Sequence, residues 1–374
     1  MKIVFRTDAS VQIGTGHVMR CLTLADALRL EGADCTFISR NHTGHLIEII
    51  RQRGHHVVTL ATPESLQANT SNDSLTHADW LGTDWMTDAS DTQHAIGLHM
   101  VDWLVVDHYA LDQQWERTMR SHCQRLMVID DLADRVHECD LLLDQNLGRT
   151  DADYRLLIPS SATIFVGPRY ALLRPEFSIL RKESLVRRTR PQLKHLLITL
   201  GGVDKNNVTG RVLDALTHCE LPSDLEISVV MGSRAPWLKQ IKNSAAEMPC
   251  PTRILVNVEN MSQLMTDSDL VICAAGGTVW ELCTLGLATC TLAIAKNQEA
   301  AAHALQTAGA TQLLTLHSLQ EGMIDAINLA KREDHLLKLQ GNASRICDGL
   351  GAKRIAARLA HDEEQIYQPT NHVN

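Results

Sequence analysis

Residues Arg6–Arg20 read RTDASVQIGTGHVMR; they follow the apolar run KIVF and lead into CLTLADALRL. This is a strand, then a glycine-containing turn, then a helix that opens at His17. Val18, Cys21, Leu22, Ala25 and Leu28 fall on one face of that helix, as an amphipathic helix on a sheet requires. Gly14 and Gly16 let the turn backbone approach a ligand closely. A strand, turn and amphipathic helix in this order make the first half of a βαβ unit and point to an α/β fold with parallel sheets.

The rhythm continues outward. Further strands are expected at Cys35–Ser39, His56–Leu60, Trp103–Val106, Leu126–Ile129, Leu141–Leu143 and Ile164–Val166. Runs such as WLVV and LMVI are apolar at consecutive positions, the pattern of a strand buried on both faces. A second series follows at Leu196–Leu200, Glu226–Val230, Ile254–Val256, Leu270–Cys273 and Thr289–Ala293. Between the series lies an Arg-rich stretch bounded by Pro175 and Pro191, a linker by composition. The economical reading is two doubly wound, Rossmann-like domains with ligands at the carboxyl ends of strands in an interdomain cleft. The divisions are residues 1–174, a linker at 175–193, and 194–374 including a C-terminal helix. Polar residues 64–74 read as a mobile loop, Trp80 and Trp85 as anchors of a local cap, and the end around Pro369 as a polar tail.

Bulk properties narrow the function. The 374 residues carry 35 Lys and Arg against 44 Asp and Glu, a net charge of −9 that argues against a nucleic-acid partner. None of the ten cysteines is spaced as CxxC, and several sit in apolar runs, so they read as small buried hydrophobes in a reducing compartment. The N-terminus lacks the apolar core of a signal peptide and no stretch is apolar for the roughly 18 residues of a membrane span. A cytoplasmic protein without an obligate protein partner is expected. His42 and His45, and the adjacent His55 and His56, lie beside no Cys or carboxylate cluster, so no metal site and no cofactor are expected.

Several strand ends carry chemistry. In the first motif the helix N-terminus offers amide donors and partial positive charge to a diphosphate. The same field disfavours a protonated imidazole, which suits His17 as a general base; the plainer reading is that His17 only caps the helix. Asp8 is a candidate to orient the ring or the attacking water, and Arg6 a candidate substrate contact. The motif is neither a nucleotide P-loop, since no Lys-Ser/Thr follows, nor a Rossmann fingerprint, since Met19 takes the third glycine position. Thr199–Asp204, TLGGVD, puts Gly201, Gly202 and Asp204 after a strand, as a tight turn or as a backbone surface for phosphate or sugar. Ala274–Glu281, AAGGTVWE, runs a strand through Gly276, Gly277 and Thr278 into a helix, a second phosphate cradle. Glu281, one turn in, is placed to accept both hydroxyls of a ribose, or simply balances the helix N-terminus. Asn297 and Gln298 follow another strand, as do Asp107-His108-Tyr109 and Asp144-Gln145-Asn146, with Asn146 taken as a substrate contact.

Together RTDAS, IGTGHVMRCLTLA, VVDHYALD, LLLDQN, FVGPRYALLRPEF, TLGGVD, AAGGTVWE and KNQ resemble the PseG family, the UDP-2,4-diacetamido-2,4,6-trideoxy-β-L-altropyranose hydrolases of pseudaminic acid biosynthesis. That family is similar in fold to MurG-type transferases, which implies glycosyltransferase-B architecture. The resemblance implies hydrolysis of the sugar–UDP bond without a metal, by water attack at the anomeric carbon with inversion. It implies His17 as the catalytic histidine, Tyr109 near the reacting sugar and Gly276–Glu281 as the UDP loop. UDP is a good leaving group, so the two-carboxylate pair of glycosidases is not required. The competing readings are a glycosyltransferase with a UDP-hexosamine donor and a non-catalytic nucleotide-sugar binding protein.

Overall fold

The computed structural model describes residues 1–62 and 75–361. The polar stretch 64–74 and the tail around Pro369 lie outside the described residues. The chain forms two units, residues 1–172 with the segment from Leu350 onward, and Leu173–Gly349.

The first unit is built on a parallel sheet of β1 (Lys2–Thr7), β2 (Asp34–Arg40), β3 (His56–Leu60), β4 (Val101–Asp107), β5 (Cys123–Ile129), β6 (Leu141–Asp144) and β7 (Thr163–Val166). Their order is β3-β2-β1-β4-β5-β6-β7. Side chains alternate across the sheet, and consecutive apolar residues feed two cores. Ile3, Phe5, Trp103, Val105, Met127 and Ile129 pack with Val18, Cys21, Leu22, Ala25 and Leu28 of the helix Gly16–Leu30. Val4, Leu104, Val106, Leu126 and Val128 line the opposite core with Trp115 and Tyr154.

The second unit repeats the plan with β8 (His195–Thr199), β9 (Glu226–Met231), β10 (Thr252–Val256), β11 (Leu270–Ala274), β12 (Ala288–Leu292) and β13 (Thr311–Leu314), in the order β10-β9-β8-β11-β12-β13. In each sheet the order reverses between two central strands, β1 and β4 in one and β8 and β11 in the other. Such reversals open the crevices where doubly wound sheets bind ligands.

Two boundaries differ from the reading of the sequence. Residues 175–187 form a helix with Pro175 in its first turn. Its arginines are tied into the second unit. Arg188 donates to the carbonyls of Met265, Thr266 and Ser268, and Arg181 to those of Ser344, Cys347 and Thr284. These carbonyls lie at helix C-termini, where cations are favoured, so composition resembling a linker is helix capping. The last helix, Gly351–Ala360, joins the first unit: Ala352, Ile355, Ala356 and Leu359 enter the core beside the helix Gly16–Leu30. Trp103 Nε1 donates to the Leu359 carbonyl at 3.2 Å. At Gly351 a Cβ would lie 2.3 Å from the Ala171 carbonyl oxygen, a contact only glycine permits.

Candidate active site

In the first unit the reversal between β1 and β4 gathers the candidate catalytic groups. Ser10 Oγ accepts from the amides of Gln12 and Ile13, and the Gly14 amide donates to the Ser10 carbonyl at 2.9 Å. Gly14 has φ +85°, a conformation that favours glycine. This folded turn delivers the chain into the helix Gly16–Leu30 with His17 in its first turn and no side chain capping it.

His17 Nδ1 lies 2.6 Å from Asp107 Oδ1 at the end of β4. A carboxylate accepts only, so Nδ1 carries a proton, and in the neutral ring Nε2 is the acceptor nitrogen. Arg20, one turn further along the helix, donates Nε to Asp107 Oδ2 and Nη2 to Oδ1, each at 2.7 Å. It also pairs through Nη1 with Asp131, to which the Tyr109 hydroxyl donates at 2.8 Å. The Tyr109 ring meets His17 edge-on with centroids 4.6 Å apart. Burial would raise the Asp107 carboxyl, but the charge of Arg20 and the hydrogen bonds from Arg20 and His17 hold it well below the usual carboxylate range. Burial, with Asp131 beside it, raises the Tyr109 phenol well above its usual value and keeps it a donor. The arrangement is a histidine oriented by a carboxylate that is itself clamped by an arginine fork, a geometry suited to a general base.

The partner expected for His17 was Asp8, and the structure places it elsewhere. Asp8 accepts from the Arg40 amide at 2.7 Å and pairs with Arg6 at 2.8 Å. Arg6 also pairs with Asp88 at 2.6 Å and is fully buried, which removes it as a substrate contact. Alternation explains both corrections. Ile3 and Phe5 face the core that holds the helix of His17, whereas Val4 faces the opposite core, and Arg6 and Asp8 keep the phase of Val4. By the same phase Asp107 and Tyr109 share the side of Trp103 and Val105. Asp107 was named from the sequence, with His108 and Tyr109, only as a polar strand end, and Arg20 and Asp131 were given no role; the period of β4 carries the signal for Asp107. Asn146 stands nearby, half-buried, its Nδ2 3.5 Å from the Asp131 carbonyl and its amide donating to Asp144.

The reversal in the second unit is of different character. No protein atom lies within 4 Å of a Cβ built on Gly201, Gly202 or Gly277, and Gly201 has φ +97°. Gly277 stands at the start of the helix Thr278–Leu285 without a side-chain cap. Gln298 Nε2 lies 3.7 Å from a Cβ built on Gly276, and its Oε1 accepts from the Ile294 amide; Asn297 beside it is exposed. Glu281 retains 18% side-chain exposure, 3.7 Å from Arg174. Burial pushes its carboxyl up to about 7, with Arg174 opposing. Asp204 is the exception among the expected ligand contacts. Its two oxygens accept from the Val208 and Thr209 amides at 2.8 Å each, so it caps the helix that follows. Among the described residues no group of three or more His, Cys, Asp or Glu side chains is arranged to hold a metal ion. No described helix is long and apolar enough to cross a membrane.

Two parallel α/β units of this kind define the glycosyltransferase-B fold. Acinetobacter baumannii MurG shares it with TM-score 0.66 at 15% identity, over 95% of this chain and 98% of that one. Residues 195–359 match the glycosyltransferase family 28 C-terminal domain. More particularly, the chain is a relative of the UDP-2,4-diacetamido-2,4,6-trideoxy-β-L-altropyranose hydrolase of Campylobacter jejuni, 26% identical over 81% of this chain and 95% of that protein. It is similar also to the uncharacterized protein MJ1062 of Methanocaldococcus jannaschii, 26% identical over 77% of this chain, a match that spans 54% of that protein. Fold and domain match place the chain among proteins of glycosyltransferase-B architecture.

Proposed function

We propose that the protein hydrolyses UDP-2,4-diacetamido-2,4,6-trideoxy-β-L-altropyranose to UDP and the free sugar. The observation that carries this is the 2.6 Å contact of His17 Nδ1 with Asp107, which leaves Nε2 to take a proton from water. In this reading a water oxygen attacks the anomeric carbon on the face opposite UDP as its proton passes to His17 Nε2. The C–O electron pair leaves on the β-phosphate oxygen, and the sugar is released with inverted configuration. Tyr109 lines the sugar site. Gly276, Gly277, Thr278 and the amides of the helix Thr278–Leu285 hold the diphosphate, with Gly201, Gly202, Asn297 and Gln298 around it, and Glu281 accepts from the ribose hydroxyls. Backbone donors carry the phosphate charge, so the reaction runs without a metal, in the cytoplasm. The hydrolase relative supports this reading. Similarity to glycosyltransferases supports a second, transfer of the sugar to an acceptor in place of water. Stoichiometric UDP and free sugar from the purified protein, with no acceptor added, is the expected result. UDP release that appears only with an acceptor would assign the transferase.

A further inference from the structure

The segment 75–84, which leads into the helix Trp85–Ile96, brings a second aromatic pair to the side of His17. Trp80 lies over Tyr109 with centroids 5.8 Å apart and an interplanar angle of 29°. His77 sits 4.3 Å from Trp80 and 5.5 Å from Tyr109. Tyr109 in turn meets His17 edge-on. The four rings form one continuous wall that ends at the candidate base.

The sequence reading made Trp80 and Trp85 alike anchors of a cap. The structure divides those tasks. Leu81, 2% exposed, enters the core with Val4 and Leu104, and Trp85 packs against the same core. Trp80 is half-buried and outside it. The mount is firm on the far side. Asp84 caps the helix Trp85–Ile96 by accepting from the Thr87 amide. Asp88 of that helix accepts from Arg6, Arg40 and Trp115. An anchored segment with a large half-open aromatic face beside a reacting centre suits a ligand that is partly apolar. An indole face gains from burying C–H and methyl groups and gains little from hydroxyls.

We infer that Trp80 and His77 form an apolar wall of the sugar site beside His17, selecting UDP-sugars that carry acetamido and C6 methyl groups over fully hydroxylated ones. The inference rests on the proposed reading that a sugar is held next to His17. Two assays separate its failure from failure of that reading. UDP release by the unaltered protein judges hydrolysis alone. Calorimetry in a His17→Asn background, where turnover is suppressed, judges the wall. The probes are UDP, UDP-glucose, UDP-N-acetylglucosamine and UDP-2,4-diacetamido-2,4,6-trideoxy-β-L-altropyranose. The diacetamido sugar should bind more tightly than UDP-glucose. Trp80→Ala should weaken its binding by roughly ten-fold, about the worth of one aromatic contact, and leave UDP unchanged. Trp80→Phe should restore most of the loss, and His77→Ala should give a smaller loss in the same ratio. If Trp80→Ala does not fold, Trp80→Phe and His77→Ala still read that ratio. An unchanged ratio in folded variants, equal loss for UDP, or no preference over UDP-glucose in the parent would overturn the inference. Absence of hydrolysis with the preference intact would remove the hydrolase reading and keep the wall.

Discussion

The two sheet reversals occupy equivalent positions in their units yet are built from opposite materials. At the first, Asp107, Arg20, His17, Asp131 and Tyr109 are joined by charged and polar side-chain contacts. At the second, Gly201, Gly202, Gly276 and Gly277 expose backbone, and the principal ionisable group is one carboxyl raised to about 7. Side-chain wiring fixes a tautomer and a ring orientation, which a proton transfer needs. Bare backbone at a helix start offers fixed donors and partial positive charge, which a diphosphate needs. One fold element, used twice, thus carries side-chain wiring in one unit and open backbone in the other.

Variants at the first reversal should affect turnover, and the largest effect belongs to His17→Asn. It should lower kcat roughly 10²–10⁴-fold, the usual worth of general base catalysis, with little change in UDP affinity or Tm. Near-normal turnover by the folded variant would erase the contrast between the reversals. Asp107→Asn should lower kcat by about 10²-fold, as loss of an orienting partner does. It should also lower Tm, because the Arg20 fork loses its buried anion. A loss of stability with kcat intact would make Asp107 only a structural partner.

Variants at the second reversal should respond in binding. Glu281→Ala should weaken UDP about ten- to a hundred-fold, the worth of a charge-assisted hydrogen bond, and spare kcat at saturation. The raised carboxyl adds a pH signature. Above pH 7 Glu281 is ionised and, in the proposed role, would accept from both ribose hydroxyls; below it protonation would take an acceptor away. UDP-N-acetylglucosamine, whose diphosphate does not titrate here, should therefore bind roughly ten-fold more weakly at pH 6 than at pH 8. Glu281→Gln should flatten that profile; an identical profile in the variant would assign the titration to another group.

Much of this was legible in the sequence because strands buried on both faces are apolar at consecutive positions, as in β4 and β5. β13 was not, since TQLL is short, mixed in polarity and at the sheet edge. The strand–turn–helix units that carry His17 and the loop at Gly276 and Gly277 were legible because glycines punctuate a strand–helix turn. Asp8 was chosen as the partner of His17, and Asp107 was named without that role, for a single reason. Adjacent residues on a strand point to opposite faces, and only the pairing of Thr7 with Asp107 shows which acid faces the helix of His17. The Arg-rich stretch 175–188 misled because arginines that cap helix carbonyls have the composition of a linker.

The central claim is that His17 directs water to carbon while the second unit holds UDP as a leaving group. Turnover of the diacetamido UDP-sugar in ¹⁸O-labelled water tests it directly. The label should appear in the released sugar and be absent from UDP, and early NMR spectra should show the inverted anomer before mutarotation. Label in the UDP phosphate would mean attack at phosphorus and would contradict the account.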